Sequence, residues 1–143
     1  MPLPELSLIY PMLALVLLTF GVAIALFRAR VRSIREGQVP VSYYRLFQGG
    51  EEPDFVTKPT RHFINLFEAP TLFYAGCLAA MVTGITGTLM VVLAWGYVTA
   101  RLVHALIHLR GNRLRARMTS YALGWLCLLA MWITLGVAVA ARH

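Results

Sequence analysis

Four apolar runs, each long enough to cross a bilayer, constrain this chain more than any single motif does. They fall at about residues 6–27, 61–83, 89–109 and 118–141. At ~1.5 Å of rise per residue, a helix of about 20 residues spans ~30 Å of hydrocarbon. The backbone cannot bond to water there, so such runs must be helical. The sequence therefore predicts an all-α membrane protein, a single four-transmembrane-helix antiparallel bundle occupying residues 1–143. Charged residues make up only 13% of the chain, against roughly 25% in a soluble domain.

The connections set the orientation. A long polar stretch over 28–60 carries four early arginines and then Gly49-Gly50-Glu51-Glu52-Pro53-Asp54, a composition that reads as loop. Pro59-Thr60 supplies a helix-start signal before Arg61. Gly84-Ile85-Thr86-Gly87-Thr88 is short and uncharged, so the second and third helices are expected to be antiparallel neighbours. The third connection, Arg110 to Arg117, is basic. Lys and Arg mark cytoplasmic loops, so both termini should face away from the cytoplasm. The same placement argues against nucleic acid as a partner, although the formal charge is +7. The first run has no basic residue before it and is too long for an ordinary cleaved leader, so it reads as a retained helix. Pairs of small residues (Gly76 and Ala80, Gly96 and Ala100, Gly136 and Ala140) would let helices approach closely. Cys77 and Cys127 read as small packing residues.

Depth then singles out one level. Along the second helix, Glu68 lies roughly 24 Å from Gly84 and Asn65 about 28 Å. Along the third, Arg101 lies roughly 20 Å from Thr88 and His104 about 24 Å. Arg117 and Tyr121 begin the fourth helix at the same side. Three helices thus bring polar groups to one height. A charge at mid-bilayer costs about 2.5–3.5 kcal/mol on insertion scales, less near the interface. Glu68 is therefore expected to pair with Arg101 or Arg61, within the bundle or across a subunit boundary. Arg101 has an alternative, snorkelling to the interface. Arg61, Arg110, Arg113 and Arg115 are open to reading as orientation signals. His104 and His108 could form half a metal site, but two further ligands are not evident, and no metal is expected.

These residues resemble a known family. Arg61-His62-Phe63-Ile64-Asn65-Leu66-Phe67-Glu68, with Pro70 close behind, is similar to the second-helix signature of the MAPEG family, membrane-associated proteins in eicosanoid and glutathione metabolism. Arg101-xx-His104 and Arg113-xxx-Arg117-xxx-Tyr121 are similar to its third- and fourth-helix pattern. The likeness implies a homotrimer with glutathione, as co-substrate, bound between subunits near the cytoplasmic side. It implies that Arg61, Asn65, Glu68, His104 and Arg113 hold glutathione, and that Arg117 and Tyr121 are catalytic. Ile64 and His108 depart from the pattern of the family's prostaglandin synthases, which weakens transfer of that substrate. The expected activity is transferase- or peroxidase-like attack of the glutathione thiolate on a lipophilic small molecule. The alternatives are a non-catalytic lipid-binding or scaffold protein of the same fold, and a small transporter using Glu68 and the histidines. A bacterial inner membrane is the expected location.

Overall fold

A computed structural model describes residues 7–110 and 113–142. The expected helix start at Leu6, the turn tip Gly111-Asn112 and the side chain of Arg110 lie outside the described residues. Six helices occur among the described residues: α1 (Ile9–Arg35), α2 (Tyr43–Leu46), α3 (Asp54–Asn65), α4 (Ala69–Val82), α5 (Thr88–Arg110) and α6 (Leu114–Ala140). Four spans are long and apolar enough to cross a membrane, with α3 and α4 together forming the second. The chain is an all-helical four-span membrane bundle.

The apolar core runs through the middle of the four spans. Leu15 of α1, Phe73 and Cys77 of α4, Met90, Ala94 and Tyr97 of α5, and Leu128 and Met131 of α6 are all buried in it. The outward faces carry Leu17, Phe20, Leu106, Leu126 and Val137, exposed as a lipid-facing surface demands. Trp132 donates from Nε1 to the Leu72 carbonyl (3.3 Å), tying α6 to α4. Two of the small-residue pairs meet neighbours: Gly76 lies against the Trp132 ring, and Gly96 faces the Cys127 sulfur, while Ala100 approaches Gly124. Gly136 has nothing within reach of a Cβ.

Besides α6, which begins at Leu114 instead of about 118, three boundaries differ from the sequence expectation. First, α1 continues to Arg35 instead of ending near Phe27. Its arginine-rich end stays helical because Arg32 and Arg35 complement the C-terminal dipole and Arg32 pairs with Glu36 one turn on (2.7 Å). Second, the second span begins with α3 at Asp54 instead of about Arg61, so Pro59 lies inside the helix rather than at its start. Asp54 sits favourably in the first turn, and Glu52 holds Thr60 while its carbonyl holds Thr57. The stretch 28–60 is thus largely helical, with a shorter connection folded back through Tyr44 onto Ser33 and through Glu52 onto Arg30.

Third, the second span is broken. Residues 66–68 leave the helix, and Glu68 takes φ −91°, ψ −92°. Pro70 explains this: it lacks an N–H and its ring clashes with the carbonyl four residues back, so α4 restarts with proline in its first turn. A break inside a membrane frees carbonyls that must find donors. Arg101 provides one, donating from Nη2 to the Asn65 carbonyl at the end of α3 (2.8 Å).

Candidate functional site

The broken span, α5 and α6 converge on one cleft. Its volume is about 400 Å³, and Arg61, Ile64, Asn65, His104, His108, Arg117, Met118 and Tyr121 line it. Helical spacing explains the assembly. Arg61, Ile64 and Asn65 share one face of α3, His104 and His108 lie a turn apart on α5, and Arg117 and Tyr121 lie a turn apart on α6. The walls therefore hold two guanidiniums, two imidazoles, an amide and a phenol, with no carboxylate among them.

Behind the cleft lies a third guanidinium. Arg101 is 1% exposed, its guanidinium carbon lies 5.6 Å from the Tyr121 ring centroid, and its Nε has no hydrogen-bond partner. The expected pairing with Glu68 is not made within the chain. The backbone break turns Glu68 outward, where it is exposed and forms no ion pair among the described residues, and Arg101 takes the Asn65 carbonyl instead. Snorkelling is excluded by the burial of Arg101.

The imidazoles form a cluster that sequence reading did not anticipate, because His62 joins it. Ring centroids lie 5.6 Å apart for His62–His104, 5.3 Å for His62–His108 and 5.9 Å for His104–His108. His62 is fully buried and neither of its ring nitrogens has a hydrogen-bond partner. No group of three or more His, Cys, Asp or Glu among the described residues is placed to hold a metal ion. His104 donates from Nδ1 to the Arg117 carbonyl (3.1 Å), which also accepts from Ser120 (3.0 Å).

Of the seven residues singled out from the sequence, Arg61, Asn65, His104, Arg117 and Tyr121 come together in the cleft. Glu68 lies at the break, and Arg113 lies exposed at the head of α6; neither lines the cleft. Sequence reading missed Ile64 and Met118 as walls, since apolar side chains in a membrane helix carry no distinguishing signal. A smaller recess of about 160 Å³ adjoins, sharing Arg61, His108 and Arg117 and adding Lys58, Thr57 and Asp54. A separate apolar cleft of about 460 Å³ opens between α1 and the broken span, lined by Phe20, Phe63, Phe67 and Tyr74 among others.

A site rich in cations and recessed into a membrane bundle is suited to an anionic guest. The sequence model of the MAPEG family matches residues 8–137. The chain belongs to the MAPEG family. Its members include glutathione-dependent transferases and peroxidases as well as non-catalytic proteins. No curated protein and no solved structure matches this MAPEG chain. The match reaches into all four spans and includes every wall of the cleft.

Proposed function

We propose that this MAPEG protein is a glutathione-dependent membrane transferase or peroxidase that activates the glutathione thiol against a lipophilic electrophile. One observation carries the reading: a cleft within the bundle is walled by Arg61, Arg117, His104, His108 and Tyr121, backed by buried Arg101, and has no acid in its lining. Glutathione at neutral pH is a net anion with a thiol that must ionise, and this set fits it.

The chemistry follows from charge. A thiol of pKa about 8.5 is only a few per cent thiolate at pH 7. Bringing it to about 6.5 takes ~2.7 kcal/mol of preferential thiolate stabilisation. Arg117, half-buried between cleft and bundle, supplies a charge-assisted donor, and the Tyr121 hydroxyl a second donor. Within one chain Arg61 would hold a carboxylate of the tripeptide and Asn65 its amine; Arg113 and Glu68, which do not line the cleft, would reach only a guest shared with a neighbouring copy. His104 lines the cleft beside Tyr121. When bound, glutathione supplies the sulfur nucleophile. The electrophile would arrive from the lipid, which accounts for placing such an enzyme in a membrane.

The reading extends to assembly and place. It has three copies with glutathione between them, both termini on the non-cytoplasmic side, and a bacterial inner membrane. In a trimer a neighbouring copy would supply cover for Glu68. The test is to mix purified protein with glutathione and follow thiolate absorbance and heat of binding. The wild-type protein is expected to give both, and Arg117→Ala to lose the thiolate signal; no signal from the wild type would overturn the proposal. A second reading, a non-catalytic lipid-binding protein of the same fold, is favoured by the apolar cleft between α1 and α3–α4. Glutathione binding without turnover of any model electrophile would select it.

A further inference from the structure

His108 makes two bonds of opposite sense. Its Nε2 donates to the Lys58 carbonyl of α3 (3.1 Å), and its Nδ1 faces Nη1 of Arg117 at 3.4 Å. A carbonyl can only accept and a guanidinium can only donate. The two contacts therefore select the neutral tautomer with its proton on Nε2 and its lone pair on Nδ1, aimed at Arg117. His104 holds the same residue from behind, donating to the Arg117 carbonyl. Arg117 is thus gripped at its backbone by one histidine and at its guanidinium by the other, and α3 is tied in through Lys58.

We infer that His108 is a positioning residue whose Nδ1 lone pair aims the Arg117 guanidinium into the cleft. The inference rests on the reading of Arg117 as the thiolate-stabilising group. Few side chains meet the requirement. The group must donate at one end and accept at the other across a rigid ring, and must do so in a recess lined by Lys58, Arg61 and Arg117 with Asp54 as its one acid, where positive charges outnumber negative. A tyrosine here would place one hydroxyl where the histidine has two nitrogens. An arginine with an acceptor behind it loses fewer orientations on binding than one left to swing, and more of its charge falls at the sulfur.

Two substitutions separate the two nitrogens. In His108→Asn the side-chain oxygen falls near the position of Nδ1, so the acceptor for Arg117 is kept and the donor to Lys58 is lost. In His108→Gln the amide nitrogen falls near Nε2, so the donor is kept and the acceptor is lost. With glutathione at pH 7, His108→Gln is expected to raise the pKa of the bound thiol by about 1, the effect of one hydrogen bond to a charged group, and so to lower the thiolate signal about threefold. His108→Asn should stay within about 1.5-fold of wild type, the loss expected for a neutral hydrogen bond. Equal signals from Gln and wild type, or equal losses in Asn and Gln, would overturn the inference. A second measurement needs no glutathione. Long-range ¹⁵N–¹H spectra of histidine-labelled protein should show His108 protonated on Nε2 alone; a proton on Nδ1 would overturn the inference even if glutathione is activated normally. If the wild type gives no thiolate while the tautomer is as assigned, the glutathione reading fails and the grip on Arg117 stands as a structural contact only, which removes the positioning role.

Discussion

Buried cations decide the character of single residues in this bundle. Arg101 was legible as a cost, because a guanidinium in an apolar run demands a reason, but its partner was not. Electrostatics alone favours Glu68, whereas the backbone break puts a bare carbonyl closer. The small residues give a cleaner test. A Cβ at Gly124 would meet Ala100, Arg101 and Tyr97 at 3.7–3.8 Å, ordinary contact distances. Gly124→Ala should therefore raise stability, by up to about 1 kcal/mol, as helix propensity improves. Gly124→Leu should overpack the α5–α6 contact and cost about 1–3 kcal/mol. Denaturation of both variants in the same detergent would check the sign of each.

At the scale of elements, hydropathy locates the spans and misses the interruption in one of them. Periodicity sees the apolar face of residues 61–83 as continuous, because Leu66, Ala69 and Phe73 keep the helical spacing across the break. Pro70 was visible in the sequence, yet proline in a membrane helix is compatible with a kink, a restart or a mere local adjustment. The structure selects the restart, with three residues out of the helix. Replacing Pro70 by Ala restores the missing donor and should let α3 and α4 fuse. The Asn65 carbonyl would then bond within its own helix, and Arg101 would lose its acceptor. Spin labels on either side of the break should report a straighter span, with glutathione binding at least threefold weaker. A span that stays broken in Pro70→Ala would show that Arg101 imposes the break. The ends of helices were the least legible part. Nothing in the arginines over 28–35 distinguishes a helix leaving the membrane from a loop, since arginine suits both.

For the whole molecule, the cleft was legible as a level in the bilayer before it was a shape. Equal depth on three helices placed Asn65, Glu68, Arg101, His104, Arg117 and Tyr121 at one level, and Asn65, His104, Arg117 and Tyr121 do share one cavity, together with Arg61, which only the resemblance had named. Depth carries no information about azimuth, which is why Glu68 was gathered with them although it faces elsewhere; Arg113 entered through the resemblance alone. A carboxylate exposed at that height has no water around it, so another copy of the chain should cover it. Native mass spectrometry is expected to give three chains, and Glu68→Leu is expected to shift the population toward single chains. An unchanged trimer in that variant would place Glu68 away from the interface.

The acid-free lining has a practical corollary for anyone handling the protein. Like charges crowded around one cleft repel one another, and whichever anion the solution offers will relieve them. By linkage, a guest at a hundred times its dissociation constant adds about 2.7 kcal/mol. Extraction in chloride, sulfate or glutathione should therefore yield preparations that differ in melting temperature, and the counterion written on the buffer bottle becomes an experimental variable.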